Sequence, residues 1–345
     1  MQYTLPAAID VGANLLPNVE DPEAKVAQAV CPGYRASNVE HTQHGFTASL
    51  SLAGAPCNVY GTDIEDLNIT IAYQSSHRLS VNISPAFVTA ENSSHYILPS
   101  GIVYKPEQGV PDEPTEDIDL QFVWSNDPTF SFAVLRKSTG DVIFSTEGTV
   151  LVYEDQFIEF VSALPENYNL YGMGENLHGI RLGDNYTTTF YAADNGNPID
   201  RNLYGVHPMY VDTRYYEKDP VNGTLSLLTG DTDTDTNASY ISYSHGVYLR
   251  NAHGMEALMQ NGNITWRALG GSIDLYFFDG PTQAEVTKQY QLGAVGLPAM
   301  QQYWAFGYHQ CRWGYKNWTM MQDVVDNFAK FEIPMETIWN DIDYM

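Results

Sequence analysis

The last forty residues constrain the fold more than any other part of this chain. Tyr303 to Gln310 reads as a strand, Asn317 to Ile333 as an amphipathic helix, and Ile338 with Trp339 as a second buried strand. Strand, helix, strand is the βαβ unit of a parallel sheet, which is covered on both faces and needs further strands. In the helix, Trp318, Met321, Val324, Val325, Phe328 and Phe331 recur at steps of three and four, giving one apolar stripe. Asn317 suits an N-cap and Pro334 a stop, because proline cannot continue the hydrogen-bond ladder. Asp341 and Asp343 follow at the strand tip, the end of such sheets where ligands bind. On a strand, carboxylates at i and i+2 share a face. A second reading is a helix packed on the preceding domain with a free acidic tail. The apolar run at the strand favours the parallel sheet. No further strand follows, so the expectation is an α/β domain of which these residues hold only the beginning. Cys311, at an apolar strand end, is expected to be a free buried thiol.

The 345 residues suffice for two domains and a large core. A formal charge of −26 repels phosphate backbones and anionic lipid, which argues against nucleic-acid and membrane-surface binding. Disorder is excluded by 24 tyrosines, 14 phenylalanines and 6 tryptophans, ample material for a core. No apolar run reaches the length needed to span a bilayer.

From about residue 45 to 280 the chain reads as short strands of period two. Phe46, Ala48, Leu50 and Leu52 alternate with polar residues, as do Leu67, Ile69, Ile71 and Tyr73. Leu79, Val81 and Ile83 follow across a polar turn at Ser75-Ser76-His77, and Ser138-Thr139-Gly140-Asp141 signals a hairpin after Phe130, Phe132 and Val134. Many short strands with glycine and asparagine turns predict a large antiparallel sandwich. A helix interrupts late, with Thr282 and Glu285 as a capping box and Pro281 and Pro298 bracketing it. The expected organisation is a β-sandwich over 1–280, a helical linker over 281–298 and the start of the α/β domain over 299–345.

Two features bear on compartment. Asn-x-Ser/Thr sequons occur at Asn68, Asn82, Asn92, Asn185, Asn222, Asn237, Asn263 and Asn317. Each alone is compatible with an ordinary turn asparagine; the set argues for glycosylation. Cys31 and Cys57 flank strand-like sequence in a loop-rich region and could close a disulfide. Together these favour secretion. Met1-Gln2-Tyr3-Thr4-Leu5-Pro6 has neither a basic nor an apolar leader region, so a signal segment is expected to have been removed or to lie upstream, and both ends read as cuts.

Two further segments are weaker. Asp231-Thr232-Asp233-Thr234-Asp235 begins like a calcium loop, but Thr236 stands where glycine is needed and Ser242 where a bidentate glutamate is. A solvated hairpin loop fits better. His207 reads as a packed loop histidine rather than a ligand, and Gly172-Met173-Gly174-Glu175 lacks the βαβ setting of a nucleotide loop. Zincin, nucleophile-elbow and P-loop motifs are absent from the sequence.

Four motifs carry a resemblance. They are Asn169-Leu170-Tyr171-Gly172-Met173-Gly174-Glu175, Asn202-Leu203-Tyr204-Gly205-Val206-His207-Pro208, the run from Trp304 through His309-Gln310-Cys311-Arg312-Trp313-Gly314-Tyr315, and Trp339-Asn340-Asp341-Ile342-Asp343-Tyr344-Met345. With them, over essentially the whole chain, the sequence resembles the N-terminal part of a glycoside hydrolase family 31 α-glucosidase of the secreted fungal type. The resemblance implies a mutarotase-like β-sandwich followed by the first βαβ unit of a (β/α)₈ TIM barrel. It implies retaining hydrolysis of terminal α-linked glucose from maltose, malto-oligosaccharides or starch-derived substrates. It implies substrate contacts at Asp194, Trp313, Asp341 and Ile342. Carboxylates accept charge-assisted hydrogen bonds from sugar hydroxyls, and an indole face covers the apolar face of a pyranose. The family nucleophile lies in a W-x-D-M-N-E motif that these residues lack, so no catalytic residue is assigned. No metal or cofactor is expected; the expected partners are α-glucoside oligosaccharides and the remaining part of the same enzyme. The alternatives are a non-catalytic carbohydrate-binding sandwich protein, or another family 31 enzyme such as an α-xylosidase or α-glucan lyase.

Overall fold

The computed structural model describes residues 25–88, 106, 109–112, 114–166, 168–192, 199, 203–228 and 238–345, in two units, Met1–Gly296 and Leu297–Met345.

The first unit is built of antiparallel strands. They are β1 (Tyr34–Thr42), β2 (Gly45–Leu52), β3 (Asp66–Ser75), β4 (Arg78–Pro85), β5 (Leu120–Ser125), β6 (Ser131–Arg136), β7 (Asp141–Ser145), β8 (Val152–Tyr153) and β9 (Ile158–Ala163). Then come β10 (Leu170–Gly172), β11 (Tyr186–Phe190), β12 (Met209–Lys218), β13 (Leu225–Leu227), β14 (Ser239–Leu249), β15 (Met255–Gln260), β16 (Asn263–Ala268) and β17 (Ile273–Phe278). One sheet runs β1-β2-β3-β4-β17-β14-β12-β10, with β13 on the outer part of β12; a second runs β11-β15-β16-β9-β8; a third is β5-β6-β7.

Period-two patterning places the core. Leu67, Ile69 and Ile71 of β3 and Leu79, Val81 and Ile83 of β4 are buried, and they meet Ile264, Trp266 and Ala268 of the second sheet in one cluster. Trp266 stacks on Phe160 and Phe190 of its own sheet, centroids 6.2 Å apart in each case, and on Tyr210 of the first sheet at 6.4 Å. Phe144 of the third sheet meets Phe277 edge-on at 5.1 Å. The first two sheets therefore face one another in a sandwich-like arrangement, as the alternation predicts.

β17 departs from alternation, because all six of its residues are buried. Its second face is covered by α2 (Gln283–Tyr290), whose Val286 joins Tyr276, Phe278 and Ala294 in a separate apolar cluster. Thr282 caps α2, its Oγ1 accepting from the Glu285 N–H at 3.2 Å. Near the start of the unit, α1 (Ala27–Val30) leads to Cys31, which is disulfide-bonded to Cys57. Buried carboxylates hold the loop after Cys57: Glu154 accepts from the N–H groups of Val59 and Tyr60 at 2.6 and 2.8 Å, and Asp63 from those of Cys57 and Asn58.

In the second unit, β18 (His309–Cys311) and β19 (Thr337–Trp339) pair in parallel, Gln310 opposite Ile338, with α3 (Trp318–Lys330) between them. Asn317 is the N-cap, its side chain accepting from the Met320 N–H at 3.0 Å. The helix stops short of Pro334 in a Schellman geometry. The Ile333 N–H donates to Phe328 O and the Glu332 N–H to Ala329 O, with Glu332 at φ 55°. Three expectations are corrected here. Tyr303–Phe306 is a 3₁₀ turn rather than strand, because local bonds to Gln302 O and Trp304 O close it before β18 begins. Asp341–Tyr344 is likewise a 3₁₀ turn, so Asp341 and Asp343 do not share a strand face. Cys311 is free but exposed. Tyr308 stacks on Phe328 of α3, and alternation puts Cys311 on the opposite strand face.

Candidate functional site

Two of the sequence motifs meet in the first unit. β10 carries Leu170-Tyr171-Gly172 and pairs with β12, Gly172 opposite Tyr210. Beyond the strands, the Met173 N–H donates to Met209 O at 2.8 Å, the Glu175 N–H to Gly205 O at 2.9 Å and the His207 N–H to Gly174 O at 2.6 Å. Gly205 lets the Glu175 side chain lie close against the loop: a Cβ there would sit 2.7 Å from the Glu175 carboxyl carbon, and the exposed glutamate would have to swing aside. His207 is not a packed loop histidine. It is exposed, its Nε2 4.0 Å from Glu175 Oε1.

A buried polar network anchors this junction. Asp212, on β12 opposite Leu170, is fully buried and accepts from Arg214 Nε at 2.9 Å and from the Asn169 N–H at 3.2 Å. The same guanidinium donates to Asp141 Oδ2 at 3.1 Å and to Val142 O at 2.8 Å, tying the third sheet to β12; Tyr216 Oη also donates to Asp141. Burial pushes the Asp212 carboxyl up, with Arg214 pulling against it. His245, buried beside them on β14, is held well below the ordinary histidine value by desolvation, reinforced by Arg214 and Arg136. The network is structural: Arg214 is paired with both Asp212 and Asp141.

The second unit presents the strand-end candidates. β18 runs into Arg312-Trp313-Gly314 and β19 into Asn340 and the 3₁₀ turn, so Trp313, Asp341 and Ile342 all leave the C-terminal ends of parallel neighbours. Trp313 is 73% exposed and Ile342 54%. Asp341 sits at φ 55° with its Oδ1 accepting from the Ile342 N–H at 2.7 Å. The tie between the loops comes from Asp343, whose Oδ2 accepts from the Gly314 N–H at 2.6 Å. Gly314 has φ 112°, a backbone state that disfavours any side chain. Below, His309 Nδ1 accepts from Trp339 Nε1–H at 3.2 Å, which leaves its Nε2 to donate to Ala305 O at 3.1 Å. These bonds fix the orientation of the ring and lock β18 to β19. Neither Asp343 nor His309 was legible as a joint, because each partner lies some thirty residues away in sequence.

Asp194 and the segment Asp231 to Asp235 lie outside the described residues, as do Asn92 and Asn237. Asn68, Asn185, Asn222 and Asn317 are exposed. Asn263 is half-buried, with its amide on Asn261 O at 3.2 Å. Asn82 is half-buried, and its amide nitrogen donates to buried Asp274 at 3.2 Å.

Residues 298–345 match the profile described as the glycosyl hydrolases family 31 TIM-barrel domain. The chain is 56% identical over 344 residues to an alpha-glucosidase of Aspergillus niger, an alignment that covers 100% of this chain and 35% of the relative. It is 43% identical over 346 residues to glucoamylase 1 of Schwanniomyces occidentalis, with 100% and 33% covered. The chain thus spans about a third of the length of the curated relatives it matches. Among solved structures, an alpha3-Glc2-bound glucosidase II alpha subunit aligns with a TM-score of 0.68 at 16% identity, covering 91% of this chain and 40% of that one. A Flavobacterium johnsoniae GH31 dextranase complexed with glucose aligns with a TM-score of 0.61 at 19% identity, covering 91% and 34%. At these identities the structural likeness is one of fold.

Proposed function

We propose that the chain belongs to glycosyl hydrolase family 31 and forms part of a retaining α-glucosidase. The substrates are maltose, malto-oligosaccharides or starch-derived chains with terminal non-reducing α-linked glucose. In this reading the first unit is a mutarotase-like sandwich, and β18-α3-β19 opens a (β/α)₈ barrel whose active site forms at the C-terminal strand ends. The observation that carries the reading is the Asp343–Gly314 tie, which sets the Trp313 loop beside the Asp341–Ile342 turn at that end of the strands. Trp313 supplies an indole platform and Asp341 a carboxylate acceptor for glucose hydroxyls, with Ile342 packing beside them. Asp194 is a further pocket residue on the same grounds of resemblance. The nucleophile and the acid/base belong to polypeptide outside these 345 residues. There the carboxylate pair would form and hydrolyse a covalent glycosyl-enzyme.

The exposed sequons and the disulfide support passage through the secretory pathway, with glycans at Asn68, Asn185, Asn222 and Asn317 the best placed. Asn82 is the least suited, since its amide nitrogen is engaged with Asp274. The test is substrate binding and turnover measured separately. Calorimetry should show maltose binding that Trp313→Ala and Asp341→Ala each weaken, while the 345-residue chain releases no glucose. Glucose release by this chain alone would overturn the placement of the catalytic pair. Wild-type affinity in both variants would overturn the pocket assignment. An α-xyloside tests the α-xylosidase alternative, since xylose lacks the hydroxymethyl group that a glucose pocket must fit.

A further inference from the structure

The Cys31–Cys57 disulfide is set among buried acids. Its cysteines stand 26 residues apart and belong to a small apolar cluster with Ala27, Val150, Val152 and Phe157. Glu154 and Asp63 are both buried. Cys57 Sγ lies 3.5 Å from Asp63 Oδ1 and 3.7 Å from Glu154 Oε1, and a Glu154 oxygen is within 4.8 Å of both sulfurs. A disulfide sulfur carries no proton, so neither contact is a hydrogen bond.

Backbone N–H groups hold the acids in place. The Cys57 and Asn58 N–H groups both meet Asp63 Oδ2, and Oδ1 is the oxygen turned to the sulfur. Glu154 uses one oxygen on Val59 and the other on Tyr60. The charge of the pair is felt nearby. The Tyr34 hydroxyl, which donates to Ile64 O at 2.7 Å and to Tyr153 O at 3.1 Å, is pushed up first by burial and then by Asp63, Tyr153 and Glu154.

Reduction of a disulfide moves negative charge through this spot. The reagent thiolate forms a bond to one cysteine sulfur, the S–S bond breaks, and the other cysteine leaves as a thiolate. A second reagent thiol then closes the reagent's own disulfide, so the reagent is oxidised by two electrons and both cysteines are reduced. Attack at half-buried Cys57 brings the incoming anion against Asp63 and Glu154. Attack at Cys31 makes Cys57 the leaving thiolate, beside the same two carboxylates. Either route places like charges together in an apolar setting, where water screens them least.

We propose that Asp63 and Glu154 guard the Cys31–Cys57 disulfide against reduction, most strongly against thiols that themselves carry a carboxylate. Glutathione belongs to that class of reagent. The guard lies within the first unit and uses no residue of the candidate glucose site. The test is the rate of cysteine release by three small monothiols: cationic 2-aminoethanethiol, neutral 2-mercaptoethanol and anionic mercaptoacetate. Freed Cys31 and Cys57 are trapped by alkylation and quantified by peptide mass spectrometry, each rate being divided by that of the same thiol with a neutral dialkyl disulfide. The wild type should react in the order cationic, neutral, anionic, and equal rates would overturn the guard. Asp63→Asn keeps an oxygen for the Cys57 and Asn58 N–H groups and loses the charge. It should raise the mercaptoacetate rate at least about tenfold and the 2-aminoethanethiol rate by less. Asn58→Ala removes the side-chain oxygen that accepts from the Asp63 N–H at 2.9 Å, which loosens the same loop without a change of charge, so it should raise all three rates by one factor. An unchanged mercaptoacetate rate in Asp63→Asn, or an acceleration there as uniform as in Asn58→Ala, would overturn the proposal.

Discussion

Replacing Arg214 by methionine removes the cation shared by buried Asp212 and half-buried Asp141. The side chain is 4% exposed, and its guanidinium is shared by Asp212 at 2.9 Å and Asp141 at 3.1 Å. In Arg214→Met, Asp212 keeps the Asn169 N–H at 3.2 Å and the His245 ring, whose Nε2 lies 3.9 Å away, and Val142 O loses the Arg214 donor. Removing one partner of a buried pair costs about 3–5 kcal/mol, because the remaining charge stays desolvated. Methionine conserves the apolar stem, so little of that loss comes from a cavity. The loss is electrostatic if Asp212→Asn in the same background restores part of it, leaving a deficit of about 1–3 kcal/mol from unmade hydrogen bonds. Urea unfolding followed by circular dichroism reads both values from the midpoint, provided the slope is unchanged. A loss below about 1 kcal/mol in Arg214→Met, or a double variant no more stable than the single, would refute the idea that this pair holds β12 in place.

Three other outcomes are expected. His245 is neutral in the folded state and its folded value is depressed, so its contribution to stability is full above about pH 6.5 and is lost as pH falls below it, by up to about 1.4 kcal/mol per pH unit. The raised Asp279 and Glu256 carboxyls act in the opposite sense, so the comparison is the wild type minus His245→Gln in urea at pH 7.5, 6.5 and 5.5; parallel curves would contradict it. Glu332→Gly should stabilise the second unit by up to about 1 kcal/mol, since glycine adopts the φ 55° of that helix cap without strain; thermal melting decides the sign. Asp343→Ala should speed exchange of the Gly314 amide about tenfold, the equivalent of one charge-assisted hydrogen bond, as read by mass-resolved hydrogen exchange; unchanged protection would remove the loop tie.

Much of the architecture was legible before any coordinates. Period two in Leu67, Ile69 and Ile71 and in Leu79, Val81 and Ile83 became buried strands, the α3 stripe became a helix capped by Asn317, and the strand-helix-strand order became a parallel pair. The four motifs carried the resemblance to the family whose profile matches residues 298–345. The misread elements lie at strand ends, where local hydrogen bonds compete with the sheet: 303–306 and 341–344 closed into 3₁₀ turns despite their apolar or alternating look.

Periodicity and capping depend on backbone geometry over about ten residues, so the sequence alone determined the strands, the helices and their caps. Tertiary structure decided what is joined across long separations: β4 beside β17, Trp266 between Phe160, Phe190 and Tyr210, and Arg214 between Asp212 and Asp141. It also decided that Asp343, rather than Asp341, ties the two strand-end loops. A charge or a glycine takes its role from the group that meets it in space, and that group is set by the register of strands far apart in the chain.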